Sequence, residues 1–152
     1  MATIKTFEVV VELAERQRDQ ARLALQAAVQ KRDAAREQLD QLLGYAQETH
    51  KRWGPREDKA LAPQVLFHHV RFIGRLEHAA GVQQQVVQAQ EGLVAQARQT
   101  LIATEARLTG LRKVLQQRRQ AHAQQLQRRE QKETDELAGQ RHARKVALLQ
   151  EE

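Results

Sequence analysis

The stretch WGPREDKALAP, residues 53–63, contains both prolines of this 152-residue chain. Proline lacks an amide donor and restricts the residue before it, so Gly54-Pro55 predicts the end of a helix. Pro63 suits the first turn of a following helix, where the missing donor costs nothing. The stretch could link two domains, kink one long helix or turn the chain back on itself, and the flanking residues decide between these.

The residues on both sides of this stretch favour helix. Aromatic residues make up only 3% of the chain and charged residues 29%, a composition that suits a coiled coil better than a globular core. The absence of cysteine excludes disulfides and thiolate chemistry. Neither an apolar signal segment nor a run of about 18 apolar residues is present, so we expect a soluble cytoplasmic protein.

Apolar residues recur every three or four positions before the prolines. Counting alternately four and three residues from Phe7 to Trp53 gives fourteen positions, of which eleven are apolar; the exceptions are Arg18, Arg32 and Thr49. A 3.5-residue repeat held over this length is typical of a left-handed coiled-coil seam.

A second seam follows the prolines. From Leu66 to Leu115 the same spacing gives fifteen positions, of which eleven are apolar. The next positions, from Arg118 to Arg129, are polar, so this seam stops at Leu115.

The two seams match in length when the chain folds back at residues 53–63. Trp53 then faces about Val65, and Phe7 faces about Leu111, so the second seam ends where the first has no more residues to pack on it. Two independent domains would have no reason to show this match. The acids of the first segment also fall opposite bases of the second: Glu8, Glu12, Glu15 and Asp19 opposite Arg98, Arg107, Arg112 and Lys113.

We therefore predict an all-α protein that forms an antiparallel two-helix coiled-coil hairpin within a single domain. The predicted first helix covers about 4–53, the turn 54–63 and the second helix about 64–148. Residues 116–152 of the second helix are predicted to overhang without a partner.

No catalytic, cofactor-binding or metal-binding motif is found. The glycines do not have phosphate-loop spacing, and no HExxH pattern occurs. His68 and His69 are adjacent, so their side chains diverge on a helix and cannot share a metal without help. A two-helix protein also offers no concave pocket, and we expect a protein that is not an enzyme.

Two surfaces are candidates for binding. Between Arg98 and Arg129 there are eight basic residues and one acid, which suits a protein partner, phosphates of a nucleic acid or a solvated face; aromatic residues for base stacking are absent there. Near the turn, Tyr45 and Phe72 flank the seam and are predicted to face each other. These rings could clamp the hairpin or form an exposed patch, with Leu42 and Leu76, for another protein.

The chain resembles the flagellar export protein FliJ family, the coiled-coil stalk of the type III export ATPase. The residues that carry the resemblance are LAERQRDQARLAL (13–25), AREQLDQLLGYAQE (35–48), VRFIGRLEHA (70–79) and ETDELAGQRHARK (133–145). The resemblance covers nearly the whole chain. It implies an antiparallel two-helix coiled coil similar to the rotor stalk of rotary ATP synthases.

The resemblance also implies partners. Proteins of this family insert into the hexameric export ATPase ring, promote its assembly and activity, connect it to the membrane export gate and handle export chaperones, so the chain would associate peripherally with the export apparatus at the inner membrane. The family's gate-binding patch carries over onto Gln38, Leu42, Tyr45, Phe72, Leu76 and Ala79. Thr49 and Gln83 depart from the pattern, which has an aromatic residue and a histidine there.

The overhang fits an element that becomes ordered inside a ring, where Arg118, Arg119, Arg128 and Arg129 are candidate contacts. No cofactor and no nucleic acid are expected. Two alternatives remain open at this point: the related stalk of a virulence secretion injectisome, and a basic coiled-coil scaffold that binds nucleic acid.

Overall fold

The computed structural model describes residues 3–54 and 62–151. Within these ranges the chain forms two α-helices and no strand: α1, Ile4–Trp53, and α2, Pro63–Gln150. The helices pack against each other in antiparallel orientation, which confirms the predicted all-α helical hairpin. Of the predicted turn, residues 55–61 lie outside the described residues.

The ends of the helices follow local backbone chemistry. The hydroxyl of Thr3 accepts a hydrogen bond from the Thr6 amide at 3.2 Å, which caps the start of α1. At the other end, the Gly54 amide donates to the His50 carbonyl at 2.9 Å. A Cβ atom at Gly54 would collide with that same carbonyl oxygen, so the last turn of α1 requires glycine here. Pro63 begins α2, as its missing donor favours.

The contacts within the chain define two compact units. The terminal unit comprises Met1–Glu15 and Ala106–Glu152, and the turn unit comprises Arg16–Glu105. In each unit a segment of α1 packs on a segment of α2. The prediction of a single domain stays a prediction.

In the terminal unit, large aliphatic side chains form the core. Leu108, only 2% exposed, packs with Val11, Ala14 and Leu115, and the partly buried Ile4, Phe7 and Leu111 lie against this cluster. After Leu115 every described residue of α2 is exposed. The overhang is therefore a helix without a buried face.

In the turn unit, the core is built of small residues. The buried apolar side chains there are Ala21, Ala35, Ala80, Val87 and Val94. Two arginines of α1, Arg18 and Arg32, interrupt the apolar seam in this unit. Each guanidinium forms an ion pair with the carboxylate of the next residue, Asp19 or Asp33. The charged exceptions in the seam are thus neutralised locally.

Neither helix contains a segment long and apolar enough to span a membrane, over the residues that the structure describes.

Candidate functional site

The predicted gate-binding patch lies in the turn unit, on one flank of the seam. Tyr45 of α1 and Phe72 of α2 meet edge to face, with ring centroids 6.1 Å apart and an interplanar angle of 81°. This confirms that the two rings face each other. Both remain accessible, Tyr45 at 55% and Phe72 at 38% exposure. The pair therefore stabilises the packing of the two helices and still presents aromatic surface to a partner.

The other predicted patch residues surround this pair. Leu42, Leu76 and Ala79 are half-buried, and Gln38 is exposed. Gln38, Leu42 and Tyr45 line an open groove of about 520 Å³ together with Gln41 and Gln83. Three of the six patch residues of the turn unit thus share one groove, and Phe72 contacts one of these three, Tyr45.

Gln83, which departs from the family pattern, takes part in this groove. Its Nε2 donates a hydrogen bond to the Ala35 carbonyl at 3.0 Å and another to Oε1 of Gln38 at 3.1 Å. Gln83 therefore joins α2 to α1 and orients one patch residue. Thr49, the second departure, is half-buried in α1.

A histidine pair near the turn was missed by the sequence analysis, which compared only the adjacent His68 and His69. His50 Nδ1 and His69 Nε2 are 3.2 Å apart, and His69 is buried. The signal was present in the sequence, because the predicted fold-back places residue 50 opposite residue 69. No cluster of three or more metal-ligating side chains is found within 3–54 and 62–151.

The four predicted ring-contact arginines lie in the terminal unit in two different environments. Arg118 lies over the ring of Phe7, 4.1 Å from its centroid, and Arg119 pairs with Glu8 at 2.8 Å. Both therefore contact α1, although they were predicted to lie in the unpaired overhang. These cation–π and ion-pair contacts extend further along α2 than the apolar burial does.

Arg128 and Arg129 lie further along α2. Both are exposed, and Arg128 lines an open groove of about 470 Å³ with Gln131, Lys132, Asp135 and Glu136. Neither arginine forms an ion pair with another residue in the described part of the chain. They are the two predicted contacts that remain available to a partner without breaking a contact to α1.

Ion pairs between the helices line one flank of the seam in each unit. Glu8–Arg119 and Glu15–Arg112 lie in the terminal unit, whereas Arg22–Glu105 and Arg36–Glu91 lie in the turn unit. Glu15 thus pairs with one of the bases predicted to lie opposite the acids of α1, whereas Glu8 pairs with Arg119, which lies further along α2 than that predicted group. These pairs neutralise part of the basic charge that a nucleic acid would need.

The ion-paired flank has a heptad signature that the sequence analysis did not use. Its residues on α1 are one position after the seam residues Phe7, Ala14, Ala21 and Ala35. Residues beside a coiled-coil seam commonly form interhelical ion pairs. The spacing could therefore have identified the residues of this flank, but not which residue of α2 each of them pairs with.

The fold and the seam define a class, the two-helix antiparallel coiled coils. Within it, the family model described as "Flagellar FliJ protein" matches residues 4–147, and the chain belongs to this family. Comparison with curated proteins and with solved structures finds no significant match. Membership makes the chain a component of the flagellar export apparatus, and it indicates no enzyme family.

Proposed function

We propose that the chain is the central stalk of the hexameric export ATPase ring. In this role it promotes ring assembly and activity, links the ring to the membrane export gate and handles export chaperones. It is cytoplasmic and reaches the inner membrane only through these partners. The family match over residues 4–147 supports the proposal most strongly.

The overhang of α2 supports insertion into a ring. Every described residue of α2 beyond Arg119 is exposed, so a surrounding protein can contact this part of the helix. Arg128 and Arg129 supply positive charge there that is not paired with any described residue. A charged guanidinium binds carboxylates through paired hydrogen bonds. We assign these two side chains to the ring contact.

The Tyr45–Phe72 pair supports the link to the gate. Aromatic side chains offer large contact area at low entropic cost and are enriched at the energetically dominant positions of interfaces. The edge-to-face arrangement fixes both rings before a partner arrives. We assign the gate contact to these rings and to the groove beside Tyr45.

The rate of ATP hydrolysis by the hexameric export ATPase tests the stalk role. We expect the wild-type chain to raise this rate and to increase ring assembly at limiting ATPase concentration. Arg128→Gln with Arg129→Gln should reduce the stimulation at least about tenfold if both guanidinium groups contact the ring.

The matched control removes the same charge from the turn unit. Arg16→Gln with Arg98→Gln replaces two exposed arginines that form no ion pair in the described residues, and it should leave the stimulation unchanged. The stalk role would be contradicted if the wild-type chain changed neither the rate of ATP hydrolysis nor the assembly of the ring. Equal losses in the two double variants would contradict the assignment of Arg128 and Arg129.

A further inference from the structure

The turn unit has two chemically different flanks. One flank carries the ion pairs Arg22–Glu105 and Arg36–Glu91. The opposite flank, on the side of the Tyr45–Phe72 pair, continues away from the turn beyond the predicted gate-binding patch. We call the residues of this flank outside the six patch residues the acid-free flank; it comprises, on α1, Ala24, Ala27, Lys31 and Ala34 and, on α2, Arg75, Val82, Val86, Ala89 and Leu93.

The α2 part of this flank is a second apolar seam. Val82, Val86, Ala89 and Leu93 follow each other at intervals of four and three residues, the same spacing as the seam that packs on α1. Their large members remain accessible, with Val82 and Leu93 at 50% and Val86 at 40% exposure. A helix with two heptad seams can pack against two helices at once, and α1 occupies only one of these seams.

The α1 part of the acid-free flank consists mainly of small residues that lie beside this second seam. Ala24, Ala27 and Ala34 are exposed and small, so a helix can approach the backbone of α1 closely while its apolar side chains contact Val86 and Leu93. From Arg75 to Leu93 the acid-free flank covers about 27 Å of α2 at about 1.5 Å per residue. That length matches about three heptads of a partner helix.

The charges select the partner. Lys31 and Arg75 are exposed and have no ion-pair partner among residues 3–54 and 62–151. The nearby acids Asp33, Glu77 and Glu91 lie at heptad positions on the opposite flank or next to it. A second copy of this chain would therefore bring uncompensated lysine and arginine together, whereas acidic side chains beside an apolar seam would neutralise them.

We propose that the acid-free flank binds an amphipathic helix of another protein, one with apolar residues at heptad spacing and acidic residues beside them. The bound helix lies along α2 from Arg75 to Leu93 and completes a three-helix bundle with the turn unit. This site goes beyond the proposed function, since it needs no ATPase ring and its apolar contacts, Val82, Val86 and Leu93, lie outside the gate-binding patch.

The test uses a synthetic three-heptad peptide with leucine at the seam positions and glutamate on both flanks, labelled for fluorescence anisotropy. A peptide of the same seam with lysine flanks is the control. We expect the full chain to bind the glutamate peptide and to prefer it by at least about tenfold over the lysine peptide, with the preference weakening as salt increases. Absence of binding, or equal binding of the two peptides, would overturn the proposal.

Variants locate the site. Val82→Ser with Val86→Ser and Leu93→Ser should abolish binding of the glutamate peptide. Leu23→Ser with Val70→Ser and Ile102→Ser replaces three other exposed apolar residues of the turn unit and should leave binding unchanged. A loss of binding in this control would contradict the assigned site.

A charge reversal tests the flank without touching the apolar seam. Lys31→Glu with Arg75→Glu should turn the preference toward the lysine peptide, and an unchanged preference would contradict the proposal. Sedimentation of the wild-type chain without peptide gives the competing outcome. A dimer that the serine variant converts to monomer would assign the flank to a second copy instead.

Discussion

Gln90 lies at a seam position of α2, between Val87 and Val94. Its Oε1 is buried and has no hydrogen-bond partner among the described residues. A buried acceptor left unpaired costs roughly 1–3 kcal/mol of stability. The side chain therefore weakens the seam in two ways, since it also removes apolar contact at a position that coiled coils fill with leucine.

We predict that Gln90→Leu stabilises the chain by about 1–2 kcal/mol, because it removes the unpaired acceptor and adds apolar burial. Urea unfolding followed by circular dichroism measures the change. The control is Gln88→Leu, the same substitution at an exposed position two residues away, which should be neutral. A stability loss in Gln90→Leu alone would mean that the Gln90 amide has an important native contact.

The arginines of the seam show how far single residues could be interpreted from the sequence. Arg18 and Arg32 were exceptions to the apolar pattern, and their heptad positions predicted side chains directed at the seam. Both are indeed mostly buried, with side chains 18% and 19% exposed. Their compensation by Asp19 and Asp33 could not be predicted from the heptad, because it depends on the rotamers that let adjacent residues bond.

At the scale of the helix, α1 carries its interhelical ion-pair residues every seven positions. Glu8 and Glu15 are acidic, Arg22 and Arg36 are basic, and the position between these two arginines is Val29. The corresponding position of α2 is Arg98, which forms no ion pair with the described residues. One pair is therefore missing from an otherwise regular series.

We predict that Val29→Glu adds the missing pair with Arg98. Compared with Val29→Gln, which has nearly the same shape without the charge, the glutamate variant should be more stable by about 0.2–1 kcal/mol at low salt. The difference should disappear in 1 M salt, where the screening length falls to about 3 Å. Thermal unfolding of the two variants at low salt and in 1 M salt measures the stability difference and its loss.

Arg98→Gln is the second half of this test. In that background Val29→Glu and Val29→Gln should have equal stability. A difference that persists without Arg98 would contradict the pairing and would indicate an effect of residue 29 on α1 alone.

The helices themselves could be predicted because two properties of the sequence agree. The 3.5-residue repeat from Phe7 to Trp53 indicated a coiled-coil helix, and the prolines at 55 and 63 indicated where helices end and begin. The ion-pair partner of Glu8 could not be predicted from the repeat and the prolines. A one-dimensional fold-back gives only the directly facing residue, whereas a long arginine beside the seam reaches along the partner helix.

For the whole molecule, the hairpin followed from the matching lengths of two seams, and the family match agrees with the resemblance in sequence. The exposure of the surface residues was harder to predict from the sequence. The heptad predicted Tyr45 beside Phe72, but it gave no measure of exposure, which depends on how closely the small residues Ala35 and Ala80 let the helices approach.

The proposed function assigns ring and gate contacts to different parts of the chain, so the two activities should separate. We predict that Tyr45→Ala with Phe72→Ala abolishes binding to the cytoplasmic domain of the gate protein while stimulation of the export ATPase remains. Binding is measured by titration calorimetry and stimulation by phosphate release.

Leu23→Ala with Ile102→Ala, at exposed positions outside the patch, is the control and should preserve both activities. If the Tyr45 and Phe72 variant keeps gate binding and only melts at lower temperature, the rings act solely in packing the helices.

Arg98 has a consequence for the alignment of the two helices. If they slipped past each other by one heptad, Arg98 would come opposite Arg22 in one direction and opposite Arg36 in the other. Like charges held beside a seam repel, so both wrong alignments are penalised by the same side chain. In the observed alignment Arg98 corresponds to Val29, the one uncharged position of the series. An arginine that forms no ion pair with any described residue of the native hairpin thereby distinguishes this alignment from its nearest alternatives.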